Sequence, residues 1–406
     1  MRKIYFSTDN IITSLGFTTE ENATNIRKGI SGIKLIEDEC ISPFPVAYSA
    51  VNTEKLKDHF SEILLKSCIV KSEIIHPFSR LEKLFLSSIL AALENSGIDP
   101  ADPKTVMIFS STKGNIDQIK DNPQPVTRNP HLVTRNPQPV TRNNRIYLWE
   151  MAHYIAKLLN CPHVPMIISN ACTSGSVAII HAARLIETGQ YDHAIVTGGD
   201  IISEFVVSGF QSFQALSPEP CKPFDADRTG LSLGEGCGTV ILTADQAKTG
   251  VSRPVRYLGG ATSNDANHIS GPSRDGEGLY LAIAAAMKEA DVTPGELDFI
   301  SAHGTATPYN DEMEALALSW AGLDHVPVNS FKGYFGHTLG AAGLIETILS
   351  AWSVRNGILF KSAGYTKNGV SKPLNIITQN INQPVRKVIK TASGFGGCNA
   401  CLVIGH

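Results

Sequence analysis

A chain of 406 residues with net charge −3, 42% hydrophobic and 18% charged, is ordinary globular material, long enough for two or three domains or one large α/β body. The near-neutral balance gives no basis for a nucleic-acid partner. Eight cysteines without CxxC pairs or zinc-like Cys/His spacing read as free thiols in a reducing compartment. No stretch approaches the ~20 apolar residues that a membrane span requires. The opening Met1-Arg2-Lys3-Ile4-Tyr5-Phe6-Ser7-Thr8-Asp9 reads as the edge of a folded domain, not a signal peptide, so the expected location is cytoplasmic.

In chain order, the patterning predicts a helix over 79–96 and a strand over 106–109, then a helix over 152–159 and strands over 165–169, 193–197 and 239–243. A helix over 278–290, a strand over 298–301, a helix over 311–320 and a strand over 401–404 follow. Short β-branched runs alternating with longer helical patterns indicate α/β architecture with buried strands. Between the first strand and the second helix lie three near-identical heptads, NPQPVTR, NPHLVTR and NPQPVTR, at 122–128, 129–135 and 136–142. Each carries a proline and none has an apolar seam, which excludes a coiled coil and leaves an extended surface loop. No acidic residue occurs over 122–149, while Arg128, Arg135, Arg142 and Arg145 are basic. The stretch reads either as a solvated expansion or as a patch for an acidic partner near the site.

Cys172 lies in Ser169-Asn170-Ala171-Cys172-Thr173-Ser174-Gly175, followed by a helical run stopped by Gly189. His337 is followed by Thr338-Leu339-Gly340-Ala341 and a second apolar run stopped near Gly357. Aligning Cys172 with His337 superposes Thr173 on Thr338 and Gly175 on Gly340, as if one ancestral unit were used twice. Each copy would place its reactive residue at a helix N-terminus, where first-turn N–H groups and the helix dipole lower a thiol pKa.

Condensing two acyl groups needs a nucleophile that is also a leaving group, and a cysteine thiolate is both. It also needs hydrogen-bond donors for an enolate oxygen, which two imidazoles can supply. His303 in His303-Gly304-Thr305-Ala306-Thr307-Pro308 and His337 in Lys332-Gly333-Tyr334-Phe335-Gly336-His337 sit in suitable Gly-flanked loops. The Gly394-Phe395-Gly396-Gly397 loop offers unobstructed backbone N–H groups for an oxyanion hole.

These motifs resemble those of the β-ketoacyl-acyl-carrier-protein synthases, the condensing enzymes of type II fatty-acid and polyketide synthesis in the thiolase-like superfamily. Ile12-Thr13-Ser14-Leu15-Gly16, Gly29-Ile30-Ser31-Gly32-Ile33, Pro223-Phe224-Asp225 and Gly234-Glu235-Gly236-Cys237-Gly238 extend the likeness over nearly the whole chain. The resemblance implies an α/β, five-layered αβαβα fold of two similar halves. Residues 1–250 would carry the nucleophile, with the heptad insertion at about 122–145, and residues 251–406 both histidines. Cys172 would accept the acyl group, and His303 and His337 would polarise the malonyl thioester. Lys332 would orient the hydrogen-bond network and pair with Glu314, with Asp311 a second supporting carboxylate. Phe395 would give the second oxyanion N–H beside that of Cys172 and gate the acyl pocket, and Thr305 and Thr307 would touch the phosphopantetheine arm.

The implied reaction is decarboxylative condensation of an acyl primer on Cys172 with malonyl-acyl-carrier protein, giving β-ketoacyl-carrier protein and CO2. Implied partners are the carrier protein and a second copy of the chain. No cofactor is expected, because phosphopantetheine arrives on the carrier and no phosphate loop or dinucleotide fingerprint is evident. Asp225 and Arg228 read as a structural pair, and His268 either lines the entrance or is a surface histidine. Ser393, where the family has an aromatic residue, and Cys398, where it has threonine, are departures that leave chain length and pathway open. A thiolase is the competing enzyme, but thiolases lack the paired histidines. A chain-length-factor-like subunit would have lost the nucleophile that Cys172 retains.

Overall fold

The computed structural model describes residues 2–67, 77–119 and 145–406. The heptads, with Arg128, Arg135 and Arg142, lie outside the described residues.

The first half supplies strands β1 (Ile4–Ile12), β2 (Thr105–Ser110), β3 (Met166–Ile168), β4 (His193–Asp200) and β5 (Gly236–Thr243). The second supplies β6 (Arg256–Asn264), β7 (Phe299–Ser301), β8 (Val328–Asn329), β9 (Lys387–Gly394) and β10 (Cys398–Gly405). The order is β3-β2-β4-β5-β1 in one half and β8-β7-β9-β10-β6 in the other, so both follow one plan. The pairings match as well. β1 with β5 and β5 with β4 are antiparallel, as are β6 with β10 and β10 with β9. The inner pairs β4–β2, β2–β3, β9–β7 and β7–β8 are all parallel. The first strands of the two halves join through Ile4↔Tyr257 and Tyr5↔Arg256.

Strand alternation then builds the layers. Met107, Phe109, Ile195 and Ile241 face outward against helices α1 (Arg80–Leu93) and α2 (Leu148–Leu158). Val106, Ile108, Val196 and Leu242 face inward on α3 (Ser174–Glu187). In the second half, Ile300, Ile389 and Val403 meet the outer helices α4 (Glu277–Ala290) and α5 (Pro308–Trp320). Val388, Leu402 and Ile404 meet α6 (Ala342–Asn356), which packs beside α3 in the middle. The result is helices, sheet, paired central helices, sheet, helices: the expected five-layered αβαβα stack.

α6 is buried all round from Ala342 to Val354, as a helix between two sheets must be. Its crossing with α3 is set by two glycines. A Cβ on Gly175 would lie 2.5 Å from the Leu344 nitrogen, and one on Gly343 would lie 2.7 Å from the Ser176 nitrogen. These contacts are reciprocal, as under a pseudo-twofold axis that pairs Gly175 with Gly343 and Gly189 with Gly357. The repeat is therefore real, but its register differs from the alignment of Cys172 with His337. A short 3-10 turn, Leu339–Ala341, precedes α6 and has no counterpart before α3, so the two reactive residues are not equivalent positions.

Candidate active site

Cys172 sits on a tight elbow between β3 and α3. Ala171 is held at φ +46°, in the left-handed region that costs a non-glycine residue about 1–3 kcal/mol. The Ser174 hydroxyl donates to the Ala171 carbonyl at 2.6 Å and accepts the Asn170 N–H at 2.8 Å, which closes the turn. The β9–β10 hairpin reaches over this elbow, bringing the Phe395 backbone N–H close enough to the Cys172 sulfur to favour its thiolate. A Cβ on Gly394 would lie 3.0 Å from the Cys172 nitrogen, so a glycine lets the loop come this close.

His303 follows β7 and His337 follows the short helix Lys332–Phe335. Their rings meet edge to face with centroids 5.2 Å apart, and both are almost fully buried. The two imidazoles, Cys172, Phe395, Thr305 and Thr307 line one cavity of about 420 Å³. The Thr305 and Thr307 hydroxyls are 2.9 Å apart on its wall, and exposed His268 lines it as well, as the entrance reading has it. The Phe395 ring stacks on Phe210 and meets Phe213 edge-on.

Burial, reinforced by the Lys332 charge, holds both imidazoles well below the usual histidine range, so they are neutral near pH 7. Lys332 Nζ lies 3.4 Å from His303 Nδ1. An ammonium can only donate, so Nδ1 accepts and the ring proton sits on Nε2. The thiol departs from expectation. Burial outweighs the Lys332 charge and pushes Cys172 up to about 12, so it rests protonated.

Lys332 does not pair with Glu314. Its ammonium contacts Glu346 Oε1 at 2.6 Å and donates to the His303 carbonyl at 2.6 Å. Glu314 instead accepts the His303 and Gly304 N–H groups at 2.8 Å each and the Thr391 hydroxyl at 2.6 Å. Its carboxylate is consumed by the backbone it cradles, which is why none remains for the lysine. Asp311 does the same one turn earlier, accepting from Phe224, Thr305 and Ala306. Burial nevertheless raises Asp311 to about 6. Asp225 and Arg228 form no side-chain pair either. Arg228 donates to the Asp225 carbonyl at 2.9 Å, while the Asp225 carboxylate takes Thr366 and Lys367 N–H groups.

Three buried charges around the site had not been singled out from the sequence. Glu346 on α6 and Lys390 on β9 are fully buried, and Lys390 Nζ lies 2.6 Å from Glu346 Oε2. Asp200 at the end of β4 accepts the Gly340 N–H at 2.7 Å and the Ser111 hydroxyl at 2.8 Å, tying the His337 loop to the first half. A single acid inside an otherwise apolar helix was the available signal for Glu346. Arg145 is not part of an open basic patch. Its guanidinium pairs with buried Glu82 at 2.5 Å and lies 3.9 Å from the Tyr154 ring centroid.

A buried thiol on an elbow, facing two neutral imidazoles within a duplicated αβαβα stack, defines the thiolase-like class. The chain belongs to the β-ketoacyl synthase family, matching the family's N-terminal domain over 10–247 and its C-terminal domain over 256–366. Among relatives, it is 35% identical over 256 residues to the mitochondrial 3-oxoacyl-[acyl-carrier-protein] synthase of Arabidopsis thaliana. It is 34% identical over 250 residues to 3-oxoacyl-[acyl-carrier-protein] synthase 2 of Rhizobium meliloti. These matches cover 57% and 58% of this chain but 54% and 59% of the relatives' own lengths. A chain from the complex of the ketosynthase ApeO with its chain length factor ApeC, from Xenorhabdus doucetiae, aligns over 100% of this chain and 98% of its own. Its TM-score is 0.83 and its identity 27%.

Proposed function

We propose that this protein is a 3-oxoacyl-[acyl-carrier-protein] synthase. The observation that carries the reading is the meeting of Cys172, both neutral imidazoles and the Phe395 amide in one cavity. The acyl primer transfers from its carrier to the Cys172 sulfur, and the thiol proton ends on the released carrier thiol. Malonyl-carrier then enters. Its C–CO2 bond breaks, CO2 leaves, and the electron pair becomes an enolate whose oxygen takes hydrogen bonds from His303 and His337. The enolate carbon attacks the acyl thioester, and the N–H groups of Cys172 and Phe395 hold the tetrahedral oxyanion. Collapse gives β-ketoacyl-carrier and a Cys172 thiolate, which takes a proton from solvent. Thr305 and Thr307 bind the phosphopantetheine arm, and the chemistry needs no bound cofactor.

The partners in this reading are an acidic carrier protein and a ketosynthase-fold subunit, with the chain acting in the cytoplasm. Exposed Phe205 and Ile119 flank an apolar hollow of about 610 Å³ that suits such a subunit interface. A second copy is the occupant we favour; a chain length factor, the partner of ApeO, is the alternative, and native mass spectrometry distinguishes them. Among the described residues, no helix is long and apolar enough to cross a membrane. Retention of Cys172 favours the catalytic role over a chain-length-factor-like one. Peptide mapping after incubation with acyl-carrier tests the assignment. The acyl mass should sit on Cys172 and vanish in Cys172→Ala; an adduct persisting in that variant refutes it.

A further inference from the structure

The carbonyls of three consecutive residues leading into the site, Ser301, Ala302 and His303, all accept hydrogen bonds from buried lysines. Lys390 Nζ lies 3.3 Å from the Ser301 carbonyl oxygen and 3.2 Å from that of Ala302, and Lys332 Nζ lies 2.6 Å from that of His303. One carboxylate joins the two ammonium groups, with Glu346 Oε1 on Lys332 and Oε2 on Lys390, each at 2.6 Å. From the other side, Glu314 takes the His303 and Gly304 N–H groups, and Thr391, next to Lys390, donates to Glu314. The cluster holds two lysines and two glutamates. Both lysines and both carboxylates are fully buried.

We propose that Lys390 is a positioning residue for the decarboxylation step, fixing the His303 segment and engaging Glu346 so that Lys332 can address the His303 ring. The proposal rests on the condensing-enzyme reading and deepens it. Without Lys390, Glu346 would face Lys332 alone, and the carbonyls of Ser301 and Ala302 would lose a buried donor. His303 Nε2 would then lose its aim at the enolate oxygen. The charges around the two imidazoles are Lys332 from the short helix, Lys390 from β9, Glu346 from α6, and Glu314 and Asp311 from α5. Cys172 lies before α3 and Asp200 ends β4. Lys390 is among the charges that hold both imidazoles neutral, but it is not among the main influences on Cys172. Its loss should therefore separate the two half-reactions.

The test compares wild type, Lys390→Met and Lys390→Arg. It follows CO2 release from malonyl-carrier across pH and, separately, acyl loading of Cys172 by intact mass. In Lys390→Met, decarboxylation should fall roughly ten- to a hundredfold in kcat with KM unchanged, the scale of losing a charged hydrogen bond. The acid limb of its pH profile should move to higher pH, because the imidazoles protonate more readily once a buried cation is gone. Loading should stay within about twofold of wild type. Lys390→Arg, which keeps the charge, should leave the acid limb in place. If Lys390→Met does not fold, Lys390→Gln, which drops the charge and keeps a donor, carries the same expectation. Wild-type decarboxylation and an unmoved acid limb in the neutral variant overturn the proposal. So does an equal loss of loading and decarboxylation without a shift. A wild-type protein that neither loads Cys172 nor releases CO2 refutes the condensing-enzyme reading instead.

Discussion

Replacing Glu346 by glutamine removes the one carboxylate shared by two buried ammonium groups while keeping the side chain's shape. Glu346 lies 2.6 Å from each lysine, and all three side chains are fully buried. Breaking a buried ion pair by deleting one partner costs about 3–5 kcal/mol, because the remaining charge is left uncompensated. The unfolding entropy of about 2.1 cal/mol/K per residue gives about 0.85 kcal/mol/K for 406 residues, so the melting temperature should drop by about 4–6 °C. The deficit has a defined pH dependence. Burial already holds Lys390 below the ordinary lysine value, and losing Glu346 lowers it further. The unfolded chain then binds more protons than the folded one between the depressed folded value of Lys390 and the unfolded lysine value of about 10.4. Stability of the variant must therefore rise with pH relative to wild type, and the deficit should shrink as the pH climbs from neutrality toward the unfolded lysine value of about 10.4. Differential scanning fluorimetry across that range measures it. A deficit below about 1 °C, or one that grows with pH, would refute the shared-carboxylate argument.

Gly175→Ala and Gly343→Ala should each destabilise by about 1–3 kcal/mol or more despite better helix propensity, because each Cβ meets backbone across the α3–α6 crossing. Chemical denaturation checks this, and a neutral effect at either glycine would contradict the pseudo-symmetric crossing. Glu314→Gln should slow decarboxylation roughly tenfold and spare acyl loading, since an amide oxygen cannot serve both the His303 and Gly304 N–H groups as a carboxylate does. Stopped-flow CO2 release measures that loss. With Cys172 pushed up to about 12, alkylation of the resting thiol should rise roughly tenfold per pH unit up to about pH 9, and a plateau by neutrality would show a depressed thiol instead.

The layers were legible in the sequence because strands buried on both faces leave unbroken β-branched runs, as over β4 and β10. The reactive side chains were legible because Gly-flanked Cys172, His303 and His337 occupy contexts that packing alone does not require. The repeat register was misjudged because it was anchored on chemistry. The glycines at the crossing and at the helix stops, Gly175 with Gly343 and Gly189 with Gly357, record the packing that duplication preserves. The partner of Lys332 was misassigned for a related reason. The family resemblance implied Glu314, but a carboxylate nearly two helical turns into α5 is drawn to the backbone N–H groups in front of it. Glu346 and Lys390 meet only when α6 is laid across β9, a contact that no local pattern encodes. The helix N-terminus expected after Cys172 is present as α3, but the sequence did not show that the thiol is desolvated there, and burial raises it.

The central claim is that His303 and His337 stabilise an enolate beside an acylated Cys172. Cys172→Gln, whose side-chain amide imitates the acylated sulfur, isolates that step. Labelled malonyl-carrier mixed with this variant should release CO2 and accumulate acetyl-carrier without any condensation product. Adding His303→Ala or His337→Ala should cut that release by at least about a hundredfold, the scale of losing one oxyanion donor. Release that persists unchanged without either imidazole would contradict the claim.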